Sequence, residues 1–224
     1  RLTKTVEALL ASDDWRERLP ELEGLPGEKL VGPLFSLLMS RRPEIGWRAA
    51  VAFGRVVPRL ADQRMEAARV VMRRMLWMLN EESGNIAWRV PEAMSEVLAS
   101  HAGLAAEYAR ILTSYVRETK CDGNFLELCE LRRGAFFGLA RLAQARPALV
   151  APAWPDLVKA LGDADPETRG LSALAVRRLL AADAVSADSP SELAALAEDE
   201  TLVPFWDGNA LGTVSVADLA TRIA

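Results

Sequence analysis

The side chains with the widest chemical reach in this chain are arginines and tryptophans, and several recur at related positions. Five segments align without gaps on one arginine: Trp15-Arg16, Trp47-Arg48, Trp88-Arg89, Leu131-Arg132-Arg133 and Thr168-Arg169. The aligned residues, Arg16, Arg48, Arg89, Arg132 and Arg169, are separated by 32, 41, 43 and 37 positions. A guanidinium bonds a carboxylate through two parallel N–H groups and also lies flat on an aromatic ring. Two roles follow. Acids stand just ahead of these arginines (Glu44, Glu130, Asp165), so the row suits a ladder of charge-assisted bonds between stacked turns. Arginine and tryptophan are also enriched at binding hot spots. Trp47, Arg48, Trp88, Arg89, Glu92, Arg132, Arg133, Phe136 and Arg169 are therefore candidates for a partner-binding groove. The roles coexist if only the Arg132-Arg133 doublet projects outward.

Catalytic chemistry has thinner support. Glu92 and Glu96 follow Arg89 by three and seven residues on one helical face, which suits pairing with arginine better than metal binding or acid–base work. His101 is the one histidine; it precedes Ala102-Gly103 and reads as a helix cap. Cys121 and Cys129 are eight apart, a spacing that does not suggest zinc. There is no nucleophile motif and no glycine-rich phosphate loop. We therefore expect no catalytic residue, no cofactor and no metal. Arg64, Arg69, Arg73 and Arg74, with Arg41-Arg42 earlier, form a basic strip able to contact phosphates, but a solvated helix face accounts for it.

The composition sets outer limits. The 224 residues are 50% hydrophobic and 26% charged, with a formal net charge of -4. That is too apolar for a disordered chain. No apolar run approaches the ~18–20 residues of a membrane span. An acidic chain is a poor prior for a nucleic-acid binder. Two cysteines suggest a reducing, cytoplasmic setting. Of the 27 basic residues only Lys4, Lys29, Lys120 and Lys159 are lysines.

Helical periodicity must position these residues. Met65, Ala68, Val71, Met72, Met75, Leu76 and Leu79 recur at three and four, as do Leu104, Tyr108, Ile111, Leu112 and Tyr115. Punctuation at Pro26, Pro43, Asp62, Asn85, Asp122-Gly123, Pro147 and Asp165-Pro166 implies short turns between antiparallel helices. A period near 40 with two helices per unit signals a helical solenoid. Small residues after the arginines, among them Ala50, Gly54, Ser95, Gly138 and Ala175, would let helices approach closely. Near the C terminus, Leu202–Trp206 and 211–216 flank Asp207-Gly208-Asn209, a hairpin signal, followed by a closing helix over 217–223. A lone hairpin is marginal in water, so it should cap the solenoid or pair with another chain through Phe205 and Trp206.

The segment from Leu161 to Leu174, with Asp165-Pro166 before Arg169, resembles a HEAT repeat of the bacterial type also seen in phycobilin-lyase-like proteins. Pro43-Glu44-Ile45-Gly46-Trp47-Arg48-Ala49-Ala50 matches well; the Trp88 and Leu131 segments match in part. The resemblance implies an all-α, right-handed α–α superhelix (HEAT/armadillo-like) of about five helix pairs over 1–185, with a C-terminal cap over 186–224. It implies a non-enzymatic scaffold that binds a protein or peptide in its concave groove, with no nucleic acid and no membrane, as a monomer or a weak dimer through the C-terminal segment. The alternative is an enzyme on such a scaffold, DNA-glycosylase-like or lyase-like. The glycosylase version would use Trp47, Trp88 and Glu92, and the net charge of -4 weighs against it.

Overall fold

The computed structural model describes residues 1–80, 88–119 and 123–222. The turns expected at Asn85 and Asp122, Cys121, and Ile223 at the end of the closing helix lie outside these residues. The described residues form an all-α fold with one two-stranded sheet. No helix among them is long and apolar enough to cross a membrane. In chain order the helices are α1 (Leu2–Ala11), α2 (Trp15–Arg18), α3 (Gly27–Leu38), α4 (Pro43–Gln63), α5 (Met65–Leu79), α6 (Val90–Ser100), α7 (Ala102–Ser114), α8 (Cys129–Ala145), α9 (Pro147–Val150), α10 (Trp154–Ala160), α11 (Pro166–Ala181), α12 (Ser191–Ala195) and α13 (Val216–Thr221). Strands β1 (Leu202–Trp206) and β2 (Leu211–Ser215) precede α13.

The chain groups into two compact units. The first holds Arg1–Leu104 with Trp206–Leu211, the second Ala105–Phe205 with Gly212–Ala224.

In the first unit α4 is the central helix and packs on α3, α5 and α6. A central helix must bury more than one stripe, and Ile45, Ala49, Ala52, Phe53, Val56, Val57 and Leu60 are all buried. Phe53 meets Phe35 of α3 edge-on at 4.9 Å. Small residues set the spacing to α6, as the sequence implied. A Cβ on Gly54 would lie 3.0 Å from both the Cβ and the backbone oxygen of Glu96. The oxygen is backbone and cannot swing away. Gly54→Ala is therefore expected to cost about 1–3 kcal/mol through overpacking, read as a lower urea midpoint. An unchanged midpoint would show that the helices separate freely.

In the second unit α11 packs on α8, α10 and α13. Asp165 caps its first turn, accepting from the Thr168 N–H at 2.9 Å and the Thr168 hydroxyl at 2.7 Å, and Pro166 supplies the preset φ of a first helical residue. Leu171, Leu174 and Leu179 enter the core. Gly170 lets Leu219 of α13 come close, with Leu219 Cδ1 2.8 Å from where a Cβ would stand. α13 begins with a reciprocal cap: Ser215 Oγ accepts from Asp218 N–H, and Asp218 Oδ2 accepts from Ser215 N–H.

The hairpin forms where Asp-Gly predicted it. Gly208 takes φ +100, and Asp207 Oδ1 accepts from the N–H groups of Asn209 and Ala210. α12 is followed by a 3₁₀ turn over Leu196–Glu198. α8 starts at Cys129, which is half-buried, and Leu128 just before it is exposed.

Candidate partner-binding site

The in-register arginines serve mainly as clamps on backbone and turns. Arg132 Nη1 donates to the carbonyls of Leu126 (2.8 Å) and Glu127 (3.0 Å). Arg169 Nη1 repeats this on Asp163 (2.9 Å) and Ala164 (3.1 Å). Arg48 Nη1 reaches the end of α1, donating to Leu10 at 2.7 Å, a carbonyl that a helix terminus leaves unpaired, and to Ser12 at 3.2 Å. Its guanidinium also lies 5.2 Å from the Trp15 ring centroid. Arg16 donates to the Gly208 carbonyl.

A charge ladder exists in the second unit, with partners other than the nearest acids. Arg133 forks onto Asp165, with Nε–Oδ2 2.9 Å and Nη2–Oδ1 2.5 Å. Arg169 Nη2 donates to Asp199 at 2.7 Å. Arg169 therefore takes Asp199 rather than Asp165, and Arg48 takes carbonyls rather than Glu44. The reason is that Asp165 is turned onto the N-terminus of its own helix and toward α8. Burial would raise the Asp165 carboxyl, but hydrogen bonds from Arg133 and Thr168 outweigh it and hold the group below the usual carboxylate range.

The aromatic residues of the first unit converge more tightly. Trp47 is 7% exposed and stacks on Trp206, with centroids 5.6 Å apart and planes 3° from parallel. Trp206 also meets Trp15 at 6.0 Å. The Arg89 guanidinium lies 4.2 Å from the Trp47 centroid, a cation–π contact. Arg89 has a left-handed backbone, φ 59, and its Nη1 donates to Glu92 Oε1 at 3.0 Å. The expected pairing of Glu92 with arginine is thus present. Glu92 is buried; its Oε2 has no hydrogen-bond partner, and burial pushes its carboxyl up while the Arg89 charge opposes the rise.

These positions divide the candidates. Trp47, Glu92 and Phe136 lie in the interior, Phe136 at 3% exposure. Arg48, Arg132, Arg133 and Arg169 are engaged by carbonyls or carboxylates. Trp88, 40% exposed immediately before Arg89, is the member that faces solvent as a large apolar surface. Phe205 and Trp206, the alternative self-pairing residues, are buried within the chain. His101 is the cap it was expected to be: Leu104 N–H donates to its Nδ1 at 3.1 Å. Among the described residues no group of three or more His, Cys, Asp or Glu is placed to hold a metal ion.

The sequence reading passed over Trp77 and Val70 of α5, which are 60% and 55% exposed. The signal was there: they stand outside the apolar stripe, seven apart, on the face of Arg73 and Arg74. That face is the solvated basic strip expected, and it is partly neutralised. Arg73 Nη2 donates to Glu66 at 2.6 Å, Arg64 pairs with Glu28 at 2.5 Å, and Arg74 covers the Phe35 ring at 4.1 Å.

No family model matches this chain, and no curated protein matches it. Among solved structures it is similar to a computationally designed armadillo repeat protein for modular peptide recognition, at 15% identity over 96% of this chain and 95% of that one, with a TM-score of 0.46. It is also similar to an engineered protein, at 18% identity over 78% and 79% of the two chains, with a TM-score of 0.41.

Proposed function

We propose that this protein is a non-enzymatic scaffold of HEAT-like repeats, acting in the cytoplasm, that binds a protein or peptide partner. The observation that carries this reading is the exposure of two tryptophans in the first unit, Trp77 and Trp88. Burying a tryptophan removes a large apolar area from water, and leaving two of six outside is costly unless a partner covers them. Trp88 is suited to anchor a ligand because its neighbour is fixed: Arg89 is held by Glu92 and by the Trp47 ring, so little freedom is lost on binding. In this reading Arg48, Arg132, Arg133 and Arg169 shape the scaffold, and Trp88 and the Val70–Trp77 stripe touch the partner.

A peptide library displayed on phage and selected against the purified chain tests the idea. Selected peptides should bind Trp77→Ser and Trp88→Ser variants at least tenfold more weakly by calorimetry, with melting temperatures unchanged. Hot-spot tryptophans contribute roughly 2 kcal/mol or more, which supports that threshold. Equal affinity in the double variant would overturn the proposal.

A further inference from the structure

The outer face of α5 carries arginines as well as the two apolar residues already placed on it. Val70, Arg73, Arg74 and Trp77 are all exposed. Spacings of three, four and seven put them in one stripe of the helix. At ~1.5 Å per residue, Val70 and Trp77 stand about 10 Å apart along the axis. Two cations thus sit between two apolar side chains, on a chain whose formal net charge is -4. Glu66, the one acid of α5, is already shared: it accepts from Arg73 at 2.6 Å and lies 3.6 Å from Arg69. Arg74 is placed differently. Its guanidinium lies 4.1 Å from the Phe35 centroid, and no carboxylate among the described residues bonds it. A guanidinium stacked on a ring keeps its N–H groups directed outward around its edge. Arg74 is therefore a donor fork held by Phe35 and open to solvent, one turn from Val70 and one turn from Trp77.

We infer that this face binds an acidic amphipathic helix of a partner protein. Apolar residues seven apart on that helix lie against Val70 and Trp77, and a carboxylate between them meets Arg74. The inference rests on the reading of Trp77 as a partner contact and adds the partner's charge and shape. A helix suits the face because residues seven apart return to one side after two turns, the same spacing as on α5. A carboxylate suits Arg74 because it accepts two parallel bonds from a guanidinium. Phe35 also limits the freedom that Arg74 loses on binding. A membrane surface suits the face less well. Polybasic attachment uses clusters of about 4–8 cations, and Glu66 already engages two of the three arginines of α5.

The test is a phage-displayed library of helix-forming peptides with leucines fixed seven residues apart. The two central positions between the leucines are randomised among Glu, Gln and Lys, and selection is against the full chain. Glutamate peptides should dominate. They should bind Trp77→Ser at least tenfold more weakly, and their affinity for the wild-type chain should fall as salt is raised. Arg74→Glu should lose at least tenfold toward the glutamate peptide and gain affinity for its lysine counterpart, a reversal that loss of folding cannot imitate. Glutamine or lysine peptides that win selection and still need Trp77 would overturn the acidic partner and leave the binding role of Trp77 standing. Winners indifferent to Trp77→Ser would overturn the inference, and so would glutamate peptides unmoved by salt. Binding of the chain to phosphatidylserine vesicles in place of any peptide would give the face to a membrane and overturn it too. If neither this library nor an unbiased one yields a binder, the scaffold reading falls with it. The salt dependence is read on the wild-type chain, so it decides the matter even if Arg74→Glu fails to fold.

Discussion

Trp206→Ala is expected to remove about 3–5 kcal/mol of stability, the usual cost of emptying a buried tryptophan site. Trp206 is 2% exposed and touches two other indoles, one stacked and one tilted. Aromatic pairing adds about 0.5–1.5 kcal/mol beyond area burial. Since a whole domain is stable by only about 5–15 kcal/mol, one substitution near the C terminus should threaten folding of α1, α2 and α4 in the first unit. Urea unfolding followed by far-ultraviolet circular dichroism measures it. Trp206→Phe should retain most of the stability. A loss below about 1 kcal/mol for Trp206→Ala would show that the tryptophan cluster is not needed to hold the unit together.

Arg89→Ala ranks second and should carry a pH signature. Removing one partner of a buried ion pair costs about 3–5 kcal/mol because a charge is stranded. The stranded group here is Glu92. Its carboxyl titrates above the ordinary 4.5 in the folded chain, raised first by burial. A raised folded value means that protonation favours the fold. The stability it contributes is full below pH 4.5 and is lost as pH rises through the folded value. The deficit of Arg89→Ala should therefore shrink between pH 7 and pH 4.5, because a protonated carboxyl needs no cation. Glu92→Gln should abolish that dependence. Arg89→Gly should be milder than alanine by about 1 kcal/mol, since glycine accepts the left-handed backbone. A deficit for Arg89→Ala that is the same at both pH values would clear Glu92 as the cause.

Much of this architecture can be read before any coordinates, and the places where reading stops have a common cause. Helix periodicity located α5 and α7, because amphipathic spacing is a local property. Asp-Gly located the hairpin for the same reason, and His101 and Gly54 behaved as their neighbours along the chain implied. What failed were pairings between distant segments. The acid that meets Arg169 is Asp199, beyond the end of its own helix, and Asp165 answers to Arg133 on an earlier helix. Trp47 looks like a surface anchor in its own segment and becomes interior because Trp206, far along the chain, lies on it. Trp77 escaped notice because attention to its apolar stripe hides what stands off the stripe.

Arg132 and Arg169 each clamp the carbonyls six and five residues behind them. Everything needed to set such a turn is contained in about seven consecutive residues. A turn that carries its own fastener stays intact when its segment is copied or transplanted into a new neighbourhood. Gene duplication could lengthen the array from such a segment without first evolving a matching partner elsewhere. Arg48 closes on the end of α1 instead, so a copied Trp47 segment would arrive with its fastener unhooked.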